Sequence, residues 1–151
     1  MTAEELAVGV DGTPEGVAAL RWAVDQARAT GARVRAIAVI EPPLPVAGGP
    51  EAGGAFIAQP VLDDAQLDAA AQAWLSEAIA ALPVDAREKV DRQVRRGDAA
   101  TELLEAARDA DLLVLGNHGR GGLAGVLAGS VAQRCAHHVT CPLVLVPVRS
   151  A

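Results

Sequence analysis

The chain of 151 residues has only two cysteines, Cys135 and Cys141, too few for a disulfide framework and suited to a reducing compartment. Long apolar runs are missing too. Segments such as Leu112 to Leu115 and Leu143 to Val146 fall far short of the roughly 18 to 20 residues that a membrane-spanning helix requires. The first residues, Met1, Thr2 and Ala3 followed by Glu4 and Glu5, carry neither the basic region nor the apolar stretch of a secretory signal, so a cytoplasmic address is expected. The formal net charge is −6, and a nucleic-acid backbone would meet little electrostatic attraction. No Asp or Glu follows Asp111, whereas Arg120, Arg134, Arg149 and the three histidines all lie beyond it. The C-terminal quarter is therefore the part of the chain fit to accept an anion.

What is present alternates in type. Leu6 to Val10 is a short apolar run, and Asp11, Gly12, Thr13 and Pro14 then form a turn with a helix cap and a proline at the first helical position. Val17, Leu20, Val24 and Ala27 recur at helical spacing up to Gly31, a residue fit to end the helix in the left-handed conformation. Val34 to Ile40 reads as a second strand. Asp63 caps a further helix through Leu67, Ala71, Trp74, Ala78 and Leu82, stopped by Pro83. Between these two, Glu41 to Val61 carries five prolines and four glycines and reads as a long loop, a candidate lid over a ligand. Val90 to Arg95 alternates apolar with charged residues, as a strand near a sheet edge would, with Arg92, Arg95 and Arg96 expected in solvent. Asp98 caps a helix through Leu103, Leu104 and Ala107. Leu112 to Leu115 is apolar throughout and predicts a strand covered on both faces. A glycine-rich segment, a helix from about Ser130 to His138 and a strand from Pro142 to Val148 complete the chain. The order β-α-β-α-β-α-β-α-β implies one domain over 1–151, with a parallel sheet, right-handed crossovers and helices on both faces.

The stretch LGNHGRGGLAGVLAGS begins where a strand ends and finishes where a helix begins, the place at which open parallel sheets bind ligands. Gly116 and Gly119, then nine residues, then Gly129 and Ser130 would bring a backbone free of Cβ atoms, unpaired helix N–H groups and a hydroxyl onto phosphate oxygens. Glycine-only φ values are a further expected reason for these glycines. A P-loop is excluded because Ala128 and Gly129, not a lysine, precede Ser130. The dinucleotide fingerprint is imitated by Gly119, Gly121 and Ala124, yet it belongs after the first strand and before an acidic ribose ligand, and no acid lies downstream. Cys135, His137, His138 and Cys141 match no established zinc spacing, and helix geometry sends the two histidines about 100° apart. His118 is expected exposed in the loop, where it could touch a phosphate, but it has no serine or cysteine nucleophile and no orienting acid for a triad. No catalytic constellation and no metal cluster is visible.

The block from Gly116 to Ser130, with VGVDGTPEG near the start and CPLVLVPV near the end, resembles the ATP-binding subgroup of the universal stress protein family (UspA-like) over essentially the whole chain. The resemblance implies a five-stranded parallel sheet in the order 3-2-1-4-5, of the adenine nucleotide alpha hydrolase-like type, with Asp11 facing Gly116 across the switch-point crevice. It also implies roles for single residues. Asp11 would hold the ribose or adenine side, with Gly9 and Val10 lining the strand end before it, and Val39 would meet adenine through its backbone. Leu115 and Gly116 would border the nucleotide, Gly119 the middle phosphates, and Gly129, Ser130 and Val131 the phosphate tail. The implied cofactor is ATP, with any Mg2+ held mainly by the phosphates. The implied function is a nucleotide-dependent stress-response module; the alternatives are a slow ATPase or nucleotide-dependent transferase in the same crevice, or a nucleotide-free dimeric adaptor. The uncharged strand 142–148 at a sheet edge predicts a homodimer through that strand.

Overall fold

The computed structural model describes residues 3–42, 62–118 and 129–148. Five strands, β1 (Glu5–Gly9), β2 (Arg33–Ile40), β3 (Val90–Arg96), β4 (Leu112–Gly116) and β5 (Leu143–Val146), form one parallel sheet in the order β3-β2-β1-β4-β5. The helices are α1 (Pro14–Thr30), α2 (Asp64–Ala80), α3 (Val84–Arg87), α4 (Ala99–Ala107) and α5 (Ser130–His138).

Strict alternation along the central strands divides the core. Leu6, Val8 and Val10 point to one side of the sheet with Val34, Ala36, Ala38 and Ile40, where they meet Leu20 and Val24 of α1 and Leu75 and Ile79 of α2. Ala7, Ile37, Leu113 and Leu115 point to the other side and meet Leu103 and Ala106 of α4 and Ala132 and Cys135 of α5. The strand β4, covered by helices on both faces, is apolar at every position.

The helix ends follow from local chemistry. Thr13 caps α1, accepting the Gly16 N–H at 3.3 Å, and Pro14 occupies the first turn. Gly31 closes α1 at φ +76°, a conformation that favours glycine. Asp63 and Gln66 form a reciprocal capping box at α2, and Asp98 accepts the Thr101 N–H at 3.0 Å to cap α4.

Three expectations need correction. Helix α2 ends at Ala80, so Leu82 falls after the helix rather than on it, and Pro83 starts a one-turn helix, α3, because its fixed φ suits the residue before a helix. The last ladder is shorter than 142–148: Pro142 and Pro147 have no N–H to donate, and pairing spans Leu143–Val146. Of the β3 arginines, Arg92 and Arg96 are exposed as expected, but all three are tied to neighbouring side chains. Arg95 is half-buried and pairs with Glu102 at 3.1 Å, Arg96 bonds Asp64 at 3.1 Å and Asp68 at 2.9 Å, and Arg92 donates to Ser76 Oγ at 3.1 Å. The Glu41 to Val61 loop lies outside the described residues except for its first two.

Candidate nucleotide-binding crevice

Strand β1 pairs with β2 on one side and β4 on the other, and the chain leaves β1 toward α1 on one face and β4 toward α5 on the opposite face. Such divergence opens a crevice beyond the carboxyl ends of the two strands. Gly9, Val10 and Asp11 line it from β1, Ile37 and Val39 from β2, and Leu115, Gly116 and His118 from β4. The α4 wall supplies Ala99 and Leu103, and the first turns of α5 supply Val131 and Ala132.

The Asp11 carboxylate is built into the entry of α1. Its Oδ1 accepts the Thr13 N–H at 3.1 Å and the Thr13 hydroxyl, whose oxygen in turn accepts the Gly16 N–H. The intervening Gly12 takes φ +82°, a value that favours glycine. Gly16 is buried under this turn, and a Cβ there would stand 3.0 Å from Asp11 Oδ1. Val10, one residue earlier, donates its N–H to the Ile37 carbonyl at 2.8 Å and so fixes the turn to β2.

On the facing side, Asn117 donates its N–H to Val146 O at 2.9 Å and accepts the Gly129 N–H at 2.8 Å, which holds the start of α5 beside the end of β4. Gly129 is the N-cap, with no side-chain cap bond, and the first turn of α5 contains no acid. Its leading N–H groups have no partner within the helix, and the helix dipole presents its positive end there. By contrast the N-terminus of α4 is satisfied internally: Glu41 accepts the Ala99 N–H at 3.0 Å and Asp98 accepts that of Thr101. Among the described residues, no side chain caps the start of α5.

Seven of the ten residues assigned from sequence, Gly9, Val10, Asp11, Val39, Leu115, Gly116 and Val131, therefore line one crevice. Gly129 and Ser130 begin α5 next to that lining rather than within it, and Gly119 lies outside the described residues. Thr13, Gly16, Ile37, Ala99, Leu103 and Ala132 line the crevice without having been singled out as ligand contacts, and His118, expected exposed in the loop and within reach of a phosphate, is half-buried in that lining. Ile37 was readable, since it lies two residues before Val39 on the same face of a strand. Ala99 and Leu103 share a helix face at spacing i, i+4, but nothing local says that this face reaches the switch point.

Arg134 was expected to serve an anion. It is committed elsewhere: its Nη1 lies 2.9 Å from Asp98 Oδ1, joining α5 to the cap of α4. The Arg134 guanidinium, then the Thr101 hydroxyl and N–H, hold the Asp98 carboxyl well below the usual carboxylate range. Arg120 and Arg149 lie outside the described residues. Cys135 is fully buried between α5 and α4, and burial pushes its thiol up to about 11. His137 and His138 sit in the last turn of α5, their rings 6.5 Å apart edge to face, at the end of the helix opposite the crevice. Among the described residues no three His, Cys, Asp or Glu side chains come together as a metal site would need.

A doubly wound α/β domain with its crevice at the β1/β4 switch point is the architecture of a nucleotide-binding protein class. Residues 3–147 match the model of the universal stress protein family, and the chain belongs to that family. It is 31% identical over 144 residues to universal stress protein Rv2624c of Mycobacterium tuberculosis, an alignment that takes in 94% of this chain and 47% of the other. A universal stress protein of Mycolicibacterium smegmatis is 49% identical over 61 residues, which are 40% of this chain and 21% of the relative. The chain thus spans about half or less of the length of the curated relatives it matches. Among solved structures, a universal stress protein in complex with cAMP superposes with a TM-score of 0.67 at 23% identity, covering 97% of this chain and 98% of that one. The universal stress protein of Archaeoglobus fulgidus in complex with dAMP gives 0.61 at 19% identity, covering 97% and 99%. Both share the fold.

Proposed function

We propose that this chain is an ATP-binding module, one domain over 1–151, whose occupancy by nucleotide is read by partners in a cytoplasmic stress response. The observation that carries the reading is the union of Asp11 and Gly116 in one crevice with the uncapped, acid-free start of α5 at its side. Solved relatives with this fold are described as complexes with cAMP and dAMP, which supports an adenine nucleotide as the ligand class. The apolar part of the crevice, Ile37, Val39 and Leu103, suits a flat base, and the Asp11 turn suits a ribose. The phosphates run toward Gly119, Gly129, Ser130 and Val131, where helix N–H groups and a hydroxyl meet negative charge. Mg2+, when bound, sits mainly on the phosphates.

The module assembles as a homodimer through β5, whose Leu143, Val144, Leu145 and Val146 are only half-buried at the edge of the sheet. Sedimentation showing a monomer at tens of micromolar, a working range for weak assemblies, would remove the dimer. Mass spectrometry of the denatured purified protein tests the ligand: co-purified ATP is expected. Calorimetry with ATP, ADP, AMP and cyclic AMP then ranks the nucleotides, and failure of all four to bind would overturn the proposal. Turnover well above background, lost on changing Asp11 or Ser130, would convert the module into an ATPase.

A further inference from the structure

Gly12, in the middle of the Asp11–Gly12–Thr13 turn, has its open side filled by an aromatic residue far along the chain. A Cβ at Gly12 would stand 2.6 Å from Trp74 Cδ1, 2.7 Å from its Nε1 and 3.1 Å from its Cγ. The indole edge of α2 therefore occupies the space that a side chain at position 12 would need. The same tryptophan packs against the α1-side core. Gly12 is held at φ +82°, a left-handed conformation that a loosely supported glycine leaves readily, because glycine also populates the opposite φ. Asp11 immediately precedes it and lines the crevice.

We infer that Trp74 is a positioning residue for the crevice: its indole clamps Gly12 in the left-handed conformation and so sets where the Asp11 carboxylate stands. The inference rests on the nucleotide reading above. It adds α2, an element that contributes nothing to the crevice lining, to the determinants of nucleoside recognition. A carboxylate displaced by about 1 Å loses much of its contribution to an oriented hydrogen bond. The start of α5 belongs to the other side of the sheet, packed in the second core cluster rather than with Trp74.

The test is calorimetry of ATP and of inorganic tripolyphosphate on the full chain and on Trp74→Phe and Trp74→Ala. Trp74→Ala is expected to weaken ATP about tenfold while tripolyphosphate stays within about twofold, since only the nucleoside end depends on the turn. Trp74→Phe, which keeps a ring against Gly12, is expected to restore ATP binding. Where Trp74→Ala does not fold, Trp74→Leu serves instead, because it withdraws the indole from Gly12 while leaving the turn's own sequence unchanged, and it is expected to give the same split. A folded Trp74→Ala protein that binds ATP like the parent, or one that loses both ligands equally, overturns the clamp but leaves the nucleotide reading standing. A parent that binds neither ligand overturns the nucleotide reading and the clamp together.

Discussion

Gly116 lies directly against Glu15: a Cβ at Gly116 would stand 2.6 Å from the Cβ of Glu15 and 2.9 Å from its carbonyl carbon. The first glycine of the G-x-x-G pattern thus has a packing reason to be glycine, besides any approach to a phosphate. It lets the first turn of α1 cross the end of β4, which brings the Asp11 turn alongside Gly116 in the first place. Because the opposing atoms include backbone, the neighbour cannot move aside as a side-chain tip would. Gly116→Ala is expected to destabilise the fold by about 1–3 kcal/mol, the usual range for overpacking a close contact. Denaturant unfolding of the variant checks this, and an unchanged midpoint would show that α1 can retreat from β4.

Gly129 behaves differently. Its φ of −65° and ψ of 162° are extended values that any residue adopts, so the expected conformational need for glycine is absent there. A side chain at 129 therefore acts on the ligand rather than on the backbone. Gly129→Val is expected to stay folded and to lose ATP affinity by a hundredfold or more, the loss of two charge-assisted hydrogen bonds at about 1.5 kcal/mol or more each. Ser130→Ala removes one hydroxyl, keeps the backbone donors and is expected to cost less. Calorimetry beside thermal melting separates the two effects; a folded Gly129→Val protein that binds ATP like the parent would move the phosphates elsewhere.

Asp98 gives a prediction in pH. Its folded pKa is depressed, first by the Arg134 guanidinium and then by Thr101, so its stabilising contribution is fully present above its unfolded pKa of about 3.9. The contribution declines as pH falls below that value toward the folded one, because the unfolded state takes up the proton first. Both partners are substantially exposed, at 44% for Asp98 and 55% for Arg134, so solvent screening keeps the ion pair itself small. Asp98→Ala also removes the α4 cap and is expected to cost about 0.5–2 kcal/mol at neutral pH. The gap between parent and variant should shrink in unfolding measurements below pH 4, and a gap independent of pH would assign the effect to the cap geometry alone.

The strands and long helices were legible because their signals are local. An apolar β4, a Thr-Pro start and a Gly31 stop each act within a few residues. The order of the strands came from resemblance, and the sheet bears it out. What was not legible depends on distant partners. The sequence shows three arginines at 92, 95 and 96 but not the acids at 64, 68 and 102 that reach two of them. It shows Arg134 in an acid-free quarter but not Asp98 brought beside it from α4. The α4 wall of the crevice was missed for the same reason: Ala99 and Leu103 look like ordinary helix-face residues until tertiary packing turns that face toward β1 and β2.

Cys135 is expected to be inert in the folded protein. Its side chain is fully enclosed, and desolvation holds the thiol at about 11, far from the thiolate that alkylating reagents attack. Cys141 is half-buried and burial raises it as well. Alkylation at pH 7 should be slow for both and become rapid on unfolding. The raised folded pKa of Cys135 also means that stability is lost as pH rises from the ordinary thiol value near 9 toward 11, because the unfolded chain ionises first. Rapid labelling of Cys135 under native conditions would show that the contact between α4 and α5 opens readily.

The most discriminating variant is Asp11→Ala, because Asp11 has two duties that the structure allows to be separated. As a structural group its carboxylate ties the Thr13 N–H and hydroxyl together at the entry of α1. Thr13 still accepts the Gly16 N–H without it, so the helix keeps its cap and the expected loss of stability is about 1 kcal/mol. As a crevice group, Asp11 follows the end of β1, on the side assigned to ribose and base. Asp11→Ala is therefore expected to weaken ATP about tenfold or more, one or two hydrogen bonds to a charged acceptor, while inorganic tripolyphosphate binds as it does to the parent. Asp11→Asn, which keeps an acceptor for the Thr13 N–H, should recover the stability but not all of the affinity. Equal weakening of ATP and tripolyphosphate by Asp11→Ala would place the phosphates, not the nucleoside, beside β1.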